Sequence, residues 1–115
     1  MNKSESSFIS IYGCYKYNAK RRGIPFDMEY DTFIKLIHSP CSYCGRVDVD
    51  EFKKKNYVPV YHNGVDRINS EGGYIVGNIC SCCKDCNFLK NSLSQEEFIN
   101  WVLRVHEKQE NRGER

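Results

Sequence analysis

Two cysteine pairs at the same short spacing are the residues of this sequence best suited to metal chemistry. Cys41 and Cys44 form one Cys-x2-Cys pair, and Cys83 and Cys86 form a second one further along the chain. Two such turns can supply the four thiolates of a tetrahedral structural zinc site. The spacing therefore predicts that these four cysteines bind Zn2+, with Cys82 as the alternative to Cys83.

The cysteine count and the chain ends indicate the compartment. The 115 residues contain seven cysteines, an odd number, and no apolar run of signal-peptide or membrane-spanning length. We therefore expect a cytoplasmic protein that is not secreted and does not contact a membrane, in which thiols stay reduced and paired cysteines bind metal. Cys14 and Cys80 have no partner at ligand spacing and are predicted to be small, buried apolar residues.

Two helical patterns precede the first cysteine pair. Apolar residues spaced by three and four predict an amphipathic helix over residues 6 to 22, capped by the serines before it and ended by Gly23. A second pattern opens at Pro25 and Asp27, buries Met28 and Phe33 among others, and stops at residues 39 to 40. The first cysteine pair therefore follows a helix end directly.

The segment between the two cysteine pairs is predicted to form a loop and two strands. Residues 46 to 57 are predicted to be a surface loop, and Asn63 with Gly64 is a turn signal. Residues 65 to 68 and 74 to 81 are predicted to be strands, the second broken near Gly77. A short helix follows from Cys83 to Lys90, with both of these residues along one side.

The last helix has a clear start signal. Ser94 and Glu97 form a capping box, and apolar residues follow at helical spacing to about residue 106 or 108. Phe98 and Trp101 begin this apolar face, and Trp101 is predicted to be a core anchor.

Positive charge is concentrated near the N-terminus, although the formal net charge is only +2. Residues 1 to 22 contain five basic residues against Glu5 alone, namely Lys3, Lys16, Lys20, Arg21 and Arg22. Of these, Lys16, Lys20 and Arg21 lie near one another on the first predicted helix, away from its apolar stripe. Such a cationic edge is compatible with phosphate binding or with an ordinary solvated helix face.

Several motifs together resemble the zinc-stapled, phage-type branch of the HNH endonucleases, which carry a ββα-metal finger. These are Asn63-Gly64-Val65-Asp66-Arg67-Ile68, Gly73-Tyr74, Asn78, and Cys83-x2-Cys86-Asn87-x2-Lys90, with Cys41-x-Tyr43-Cys44-Gly45 upstream. The resemblance implies an α+β fold, in which a small single domain contains a ββα-metal finger stapled by a four-cysteine zinc site and flanked by N- and C-terminal helices. It also implies one HNH-type domain over residues 1 to 115, with a helical lead-in at about 6–40, the zinc and finger core at about 41–91, and the last helix at about 94–108.

The resemblance further implies a metal-dependent endonuclease that hydrolyses phosphodiester bonds in DNA with Mg2+ or Mn2+. Asp66 and Asn87 match the positions that hold this divalent ion, and Asn78 matches the middle residue that holds the finger loop and orients the base. Lys90, one helical turn beyond Asn87, is placed to meet a phosphate. The basic residues Lys16, Lys20, Arg21 and Arg22 join it as candidates for DNA contact.

Arg67 is the departure from the family pattern, which has a histidine general base after the metal-binding aspartate. An arginine stays protonated and does not take a proton from water. Arg67 therefore binds the scissile phosphate while another group acts as base, or the enzyme is slow, or the finger binds DNA without cutting it. His62, four residues before Asp66, is the nearest candidate base, and its alternative is an exposed loop histidine.

Two further functions remain open at this point. A zinc-stabilised module that binds nucleic acid without cutting it would use the basic helix and Arg67 but no divalent ion. A zinc ribbon that binds another protein would require neither Asp66 nor Lys90. The sequence leaves the oligomeric state undetermined.

Overall fold

Over residues 2 to 113, the part of the chain that the computed structural model describes, four helices accompany three two-stranded sheets. The helices are α1 (Lys3–Arg21), α2 (Tyr30–Ile37), α3 (Lys84–Lys90) and α4 (Gln95–Gly113). The strands are β1 (Phe26–Asp27), β2 (Asp50–Phe52), β3 (Val60–His62), β4 (Gly64–Arg67), β5 (Tyr74–Ile75) and β6 (Ile79–Cys82). None of the helices in this part has the length and apolar character that a membrane crossing requires.

Helix α1 has the predicted extent apart from its start. Asn2, rather than a serine, is the N-cap, and its Oδ1 accepts a hydrogen bond of 2.7 Å from the backbone N–H of Glu5. Gly23 follows the helix with φ +70°, a conformation that glycine adopts without strain, and thus ends it as expected.

The main core lies between α1, α2 and the strands β3 and β4. Its fully buried members Phe33 and Ile37 come from α2, and the prediction that this side of the helix is buried is confirmed. The core also contains Ile11, Met28, Val60 and Val65. The segment at Pro25 is not helical, because residues 26 and 27 form β1, which pairs in parallel with β5.

Strands β4 and β6 pair antiparallel and lead directly into α3, which gives a ββα unit. Asp66 lies opposite Cys80, and Arg67 lies opposite Ile79. The predicted break between the two halves of the second strand is confirmed at Gly77, which has φ +93°. This unit positions the polar residues that the sequence singles out.

The Asn63-Gly64 pair does not form the exposed turn that its sequence predicts. Asn63 is fully buried between β3 and β4, and its Nδ2 donates hydrogen bonds to the backbone oxygens of Ser39 (3.0 Å) and Arg46 (2.9 Å). A Cβ at Gly64 would lie 2.6 Å from the hydroxyl oxygen of Tyr15, so a larger residue there would displace the Tyr15 side chain. The pair therefore ties β4 to the first cysteine loop and to α1. Part of the predicted surface loop also forms a strand, β2, which pairs with β3.

Helix α4 departs most from its prediction. Phe98 is buried against the ring of Tyr43, at a centroid distance of 5.3 Å. Trp101 is 56% exposed, so the prediction of a core anchor is wrong. The helix also continues to Gly113, beyond the predicted end. Helical periodicity shows that an apolar face exists, but not whether the body of the protein reaches that face.

Candidate functional site

The four predicted zinc ligands meet in one cluster. The Sγ atoms of Cys41, Cys44, Cys83 and Cys86 all lie within 4.8 Å of one another, and those of Cys44 and Cys83 are 3.6 Å apart. Thiolates around a tetrahedral zinc ion, with Zn–S bonds of about 2.3 Å, are separated by about 3.8 Å. The cluster thus has the composition and size to hold a metal such as zinc. Cys82 lies outside it, with its thiol directed at the backbone oxygen of Cys83.

Arg46 is a residue of this cluster that sequence reasoning missed. Its guanidinium donates to Cys44 Sγ (3.4 Å), to Cys83 Sγ (3.1 Å) and to Asp85 Oδ2 (2.9 Å). The hydrogen bond from Arg46 lowers the pKa of the Cys44 thiol to about 6. Arg46 therefore favours the thiolate form, which is the form that binds metal. The only signal in the sequence is a basic residue directly after the knuckle glycine.

The other predicted cysteine environments are only partly observed. Cys14 is exposed on α1, which contradicts the prediction of a buried residue. Cys80 is half-buried, and its Sγ lies 3.8 Å from the hydroxyl oxygen of Tyr43.

Asp66 is a buried carboxylate with two partners. Its Oδ2 accepts a hydrogen bond from the Tyr43 hydroxyl (2.9 Å) and forms an ion pair with Lys90 Nζ (3.1 Å), and its Oδ1 accepts a hydrogen bond from the same Nζ (3.4 Å). Lys90 also donates to the backbone oxygen of Arg67 (3.2 Å) and is 1% exposed. Lys90 thus neutralises Asp66 and is not presented to a phosphate, which corrects its predicted role.

Tyr43 is the second residue that sequence reasoning did not assign to the site. It lies between the zinc ligand candidates Cys41 and Cys44 and reaches Asp66 from there. Burial, together with the hydrogen bond to Asp66, raises the pKa of the Tyr43 phenol well above its usual value. The phenol therefore stays protonated and remains a hydrogen-bond donor to the carboxylate. This contact joins the two polar clusters of the molecule.

A cavity of about 630 Å3 lies beside Asp66. It is lined by Asp66 and Arg67 from β4, by Asn87 from α3, and by Arg22, the residue directly after α1. The structure therefore brings together the predicted ion-binding residues and one of the four N-terminal basic residues that are candidates for DNA contact, Arg22. Lys16 and Lys20 line a different cavity, on the outer side of α1, and Arg21 is exposed outside both.

Arg67 and Asn78 both hold the loop between β4 and β5. Arg67 Nη1 donates to the backbone oxygens of Ser70 (2.7 Å) and Gly72 (2.8 Å), and its guanidinium lies 5.5 Å from the ring centroid of Tyr74. Asn78 exchanges hydrogen bonds of 2.9 and 3.1 Å with the backbone of Asn69 and donates to that of Gly73 (2.9 Å). Asn78 does not line the cavity, whereas Arg67 does.

His62 does not line the cavity beside Asp66. It lines a neighbouring cavity of about 400 Å3, which shares Tyr15, Arg22 and Tyr74 with the first, and its Nδ1 lies 2.6 Å from the backbone oxygen of Asn63. It is buried, so the alternative of an exposed loop histidine is also wrong. A spacing of four places two residues on one side only of a continuous strand, and the chain between β3 and β4 is interrupted at Asn63.

Comparisons with known proteins address the fold. The chain matches no protein-family model. The uncharacterized protein R423 of Acanthamoeba polyphaga mimivirus is 40% identical over 94 residues, which are 82% of this chain but only 16% of that protein. The solved structure of the rare-cutting HNH restriction endonuclease PacI is similar to this chain, with a TM-score of 0.64 and 23% identity. The aligned part comprises 92% of this chain and 81% of the PacI chain. The chain has an HNH-like fold.

The expected fold class is confirmed by this likeness and by the geometry. The protein is a small single α+β domain, in which β4, β6 and α3 form the ββα unit and a four-cysteine cluster joins α3 to the loop after α2. At this level of identity the likeness to PacI shows the fold alone. Activity depends on the residues of the site, which a shared fold does not specify.

Proposed function

We propose that this protein is a metal-dependent endonuclease that hydrolyses phosphodiester bonds in DNA, by nicking or by double-strand cleavage. The observation that carries the proposal is the cavity that collects Asp66, Arg67, Asn87 and Arg22. Carboxylate and carboxamide oxygens suit a hard divalent cation, and guanidinium groups suit a phosphate. The PacI structure, that of a restriction endonuclease acting on DNA, supports this assignment at the level of the fold.

The donor chemistry around Asp66 fits Mg2+ or Mn2+. Asp66 and Asn87 would hold the ion, which when bound would stabilise negative charge on the phosphate. A carboxylate has about four lone-pair sites, so the contacts from Tyr43 and Lys90 leave Asp66 acceptor capacity. Lys90 supplies the positive charge that compensates the buried carboxylate of Asp66.

Arg67 binds the scissile phosphate in this proposal and does not act as a base. Its bonds to the loop carbonyls come from Nη1, which leaves the N–H groups of Nε and Nη2 for phosphate oxygens. Arg22 provides a second guanidinium in the same cavity. Asn78 keeps the loop that anchors Arg67 in place. Lys16, Lys20 and Arg21 are exposed on α1 outside this cavity, where they would contact DNA away from the scissile phosphate.

The four-cysteine cluster binds structural Zn2+ in this proposal. Two of its ligands lie in the loop after α2 and two at the start of α3, so the ion joins the helical lead-in to the ββα unit. Residues 1 to 115 then form one HNH-type domain with the boundaries expected from the sequence.

A second function is favoured by one observation. Among the described residues that line the cavity there is no histidine, and Arg67 stands where the family has its general base. A zinc-stabilised module that binds nucleic acid without cutting it would have this composition. The two functions differ in whether the cavity requires a divalent ion.

Plasmid cleavage in Mg2+ and in Mn2+ tests the proposal. We expect nicked or linear product from the zinc-loaded wild type, and a loss of about a hundredfold in rate for Asn87→Ala, because the phosphate loses its stabilising ion. Asn100→Ala, also at an exposed helix position but outside the cavity, is the matched control and should cleave normally. If the zinc-loaded wild type leaves the plasmid intact in both divalent ions, the endonuclease proposal is abandoned in favour of the binding module.

A further inference from the structure

Two large apolar side chains stand exposed on α3. Phe88 is 82% exposed and Leu89 is 68% exposed. The helix does not use them for packing, because Cys86 and Lys90 form its buried side. Exposed apolar surface is unfavourable in water, so adjacent exposed residues of this size indicate a binding surface.

The position of this pair identifies the kind of surface. Phe88 and Leu89 line the same cavity as Asp66 and Arg67, and they directly follow Asn87 in the chain. Arg22 and Arg67 contribute positive charge to that cavity. An apolar ridge beside two guanidinium groups matches nucleic acid, which presents apolar base faces next to phosphates.

We propose that Phe88, supported by Leu89, is an apolar wedge that enters a base step of duplex DNA and unstacks it. Arg22 and Arg67 hold phosphates of the same strand while the wedge is inserted. This inference rests on the proposed function and adds to it a means of deforming the substrate. Phenylalanine and leucine are among the side chains that proteins insert between base pairs to kink a duplex.

The dimensions of the site are consistent with insertion of the wedge at one base step. Consecutive Cα atoms are about 3.8 Å apart, and successive phosphates of one strand are spaced by about 3.4 Å along the duplex axis. Asn87, which would hold the ion beside the scissile phosphate, is followed directly by Phe88 in the same cavity, so Phe88 is within reach of the adjoining base step. A protein partner would require a wider apolar area than this two-residue ridge offers.

The test uses zinc-loaded full-length protein without Mg2+ or Mn2+, and short duplexes of mixed sequence that carry 2-aminopurine. Unstacking raises the fluorescence of this base. We expect wild type to produce the rise, and Phe88→Ala to abolish it and to weaken binding about tenfold. The slope of log affinity against log salt should stay unchanged, because the phosphate contacts are kept. Leu89→Ala should reduce the rise without abolishing it.

Val76→Ala is the matched control. Val76 is 80% exposed in the turn between β5 and β6 and does not line the cavity, so its removal should leave both fluorescence and affinity unchanged. Because Phe88 is as exposed as Val76, its truncation should not affect folding, and equal melting temperatures for both variants check this.

The outcomes separate the wedge from the proposed function. If wild type binds duplexes but leaves the fluorescence unchanged, the wedge is overturned and the endonuclease proposal stands. The wedge is also overturned if Phe88→Ala keeps the full rise, or if it loses affinity only for single strands. If wild type binds no DNA at all, both proposals fail.

Discussion

The four-cysteine cluster and the Asp66 site are both suited to metal ions, but they are built in opposite ways. The cluster consists of four like ligands from two short turns, supported by Arg46. The Asp66 site has one carboxylate, already neutralised by the protein's own Lys90, at the edge of an open cavity. The first arrangement suits a permanent structural ion, and the second suits an ion that exchanges with solvent.

Removal of the structural ion should produce the largest effect. A structural zinc ion contributes about 10–16 kcal/mol in small domains, so Cys44→Ser combined with Cys86→Ser should abolish the cooperative thermal transition followed by circular dichroism. A strong chelator should do the same to wild type. Cys14→Ser, at an exposed cysteine outside the cluster, should melt like wild type. A cooperative transition after complete zinc removal would show that the cluster does not hold the fold together.

The stability of the Asp66 site should depend on the positive charge of Lys90. Lys90→Met leaves Asp66 buried without its ion-pair partner, and we expect a loss of about 3–5 kcal/mol in the free energy of unfolding measured in urea. Lys108→Met, on the exposed part of α4, is the control and should change that free energy by less than about 0.5 kcal/mol.

The same variant tests whether the Asp66 site binds an added divalent ion. Mn2+ replaces the missing positive charge beside Asp66, so it should raise the urea midpoint of Lys90→Met more than that of wild type. Equal midpoints with and without Mn2+ in the variant would indicate that Asp66 does not bind a divalent ion.

Loss of the hydrogen bond from Tyr43 to Asp66, which links the two sites, should have the smallest effect on stability. Tyr43→Phe removes one hydrogen bond to a carboxylate and should cost about 1.5 kcal/mol of unfolding free energy while leaving bound zinc at wild-type stoichiometry. Tyr61→Phe is the control, because its hydroxyl donates to Glu51 at the exposed surface, and we expect almost no change. A loss of zinc in Tyr43→Phe would mean that the two sites are not separable.

Local pattern is sufficient for much of the fold. The cysteine spacing predicts the cluster. The burial of Cys86 and Lys90 on α3, with Cys83 buried at its N-cap, agrees with the predicted placement of these three residues along one side. These predictions succeed because ligand turns and helix faces depend on residues a few positions apart.

The errors occur where the outcome depends on distant parts of the chain. The sequence predicts a turn at Asn63, but this residue is held by backbone oxygens of Ser39 and Arg46. The prediction that His62 lies beside Asp66 assumes a continuous strand. Trp101 is predicted to lie in the core, although α4 leaves the body of the protein after Phe98.

The sequence by itself determined which four cysteines cluster and where the strands and the helix of the ββα unit lie, because these follow from spacing and periodicity, and its motifs singled out the polar residues on that unit through their resemblance to HNH endonucleases. Only the tertiary structure decided which of those residues contact one another. Lys90 and Tyr43 come from segments distant from Asp66 in the sequence, and their convergence on one buried carboxylate follows from packing. A buried charge requires partners, and packing selects which residues meet that requirement.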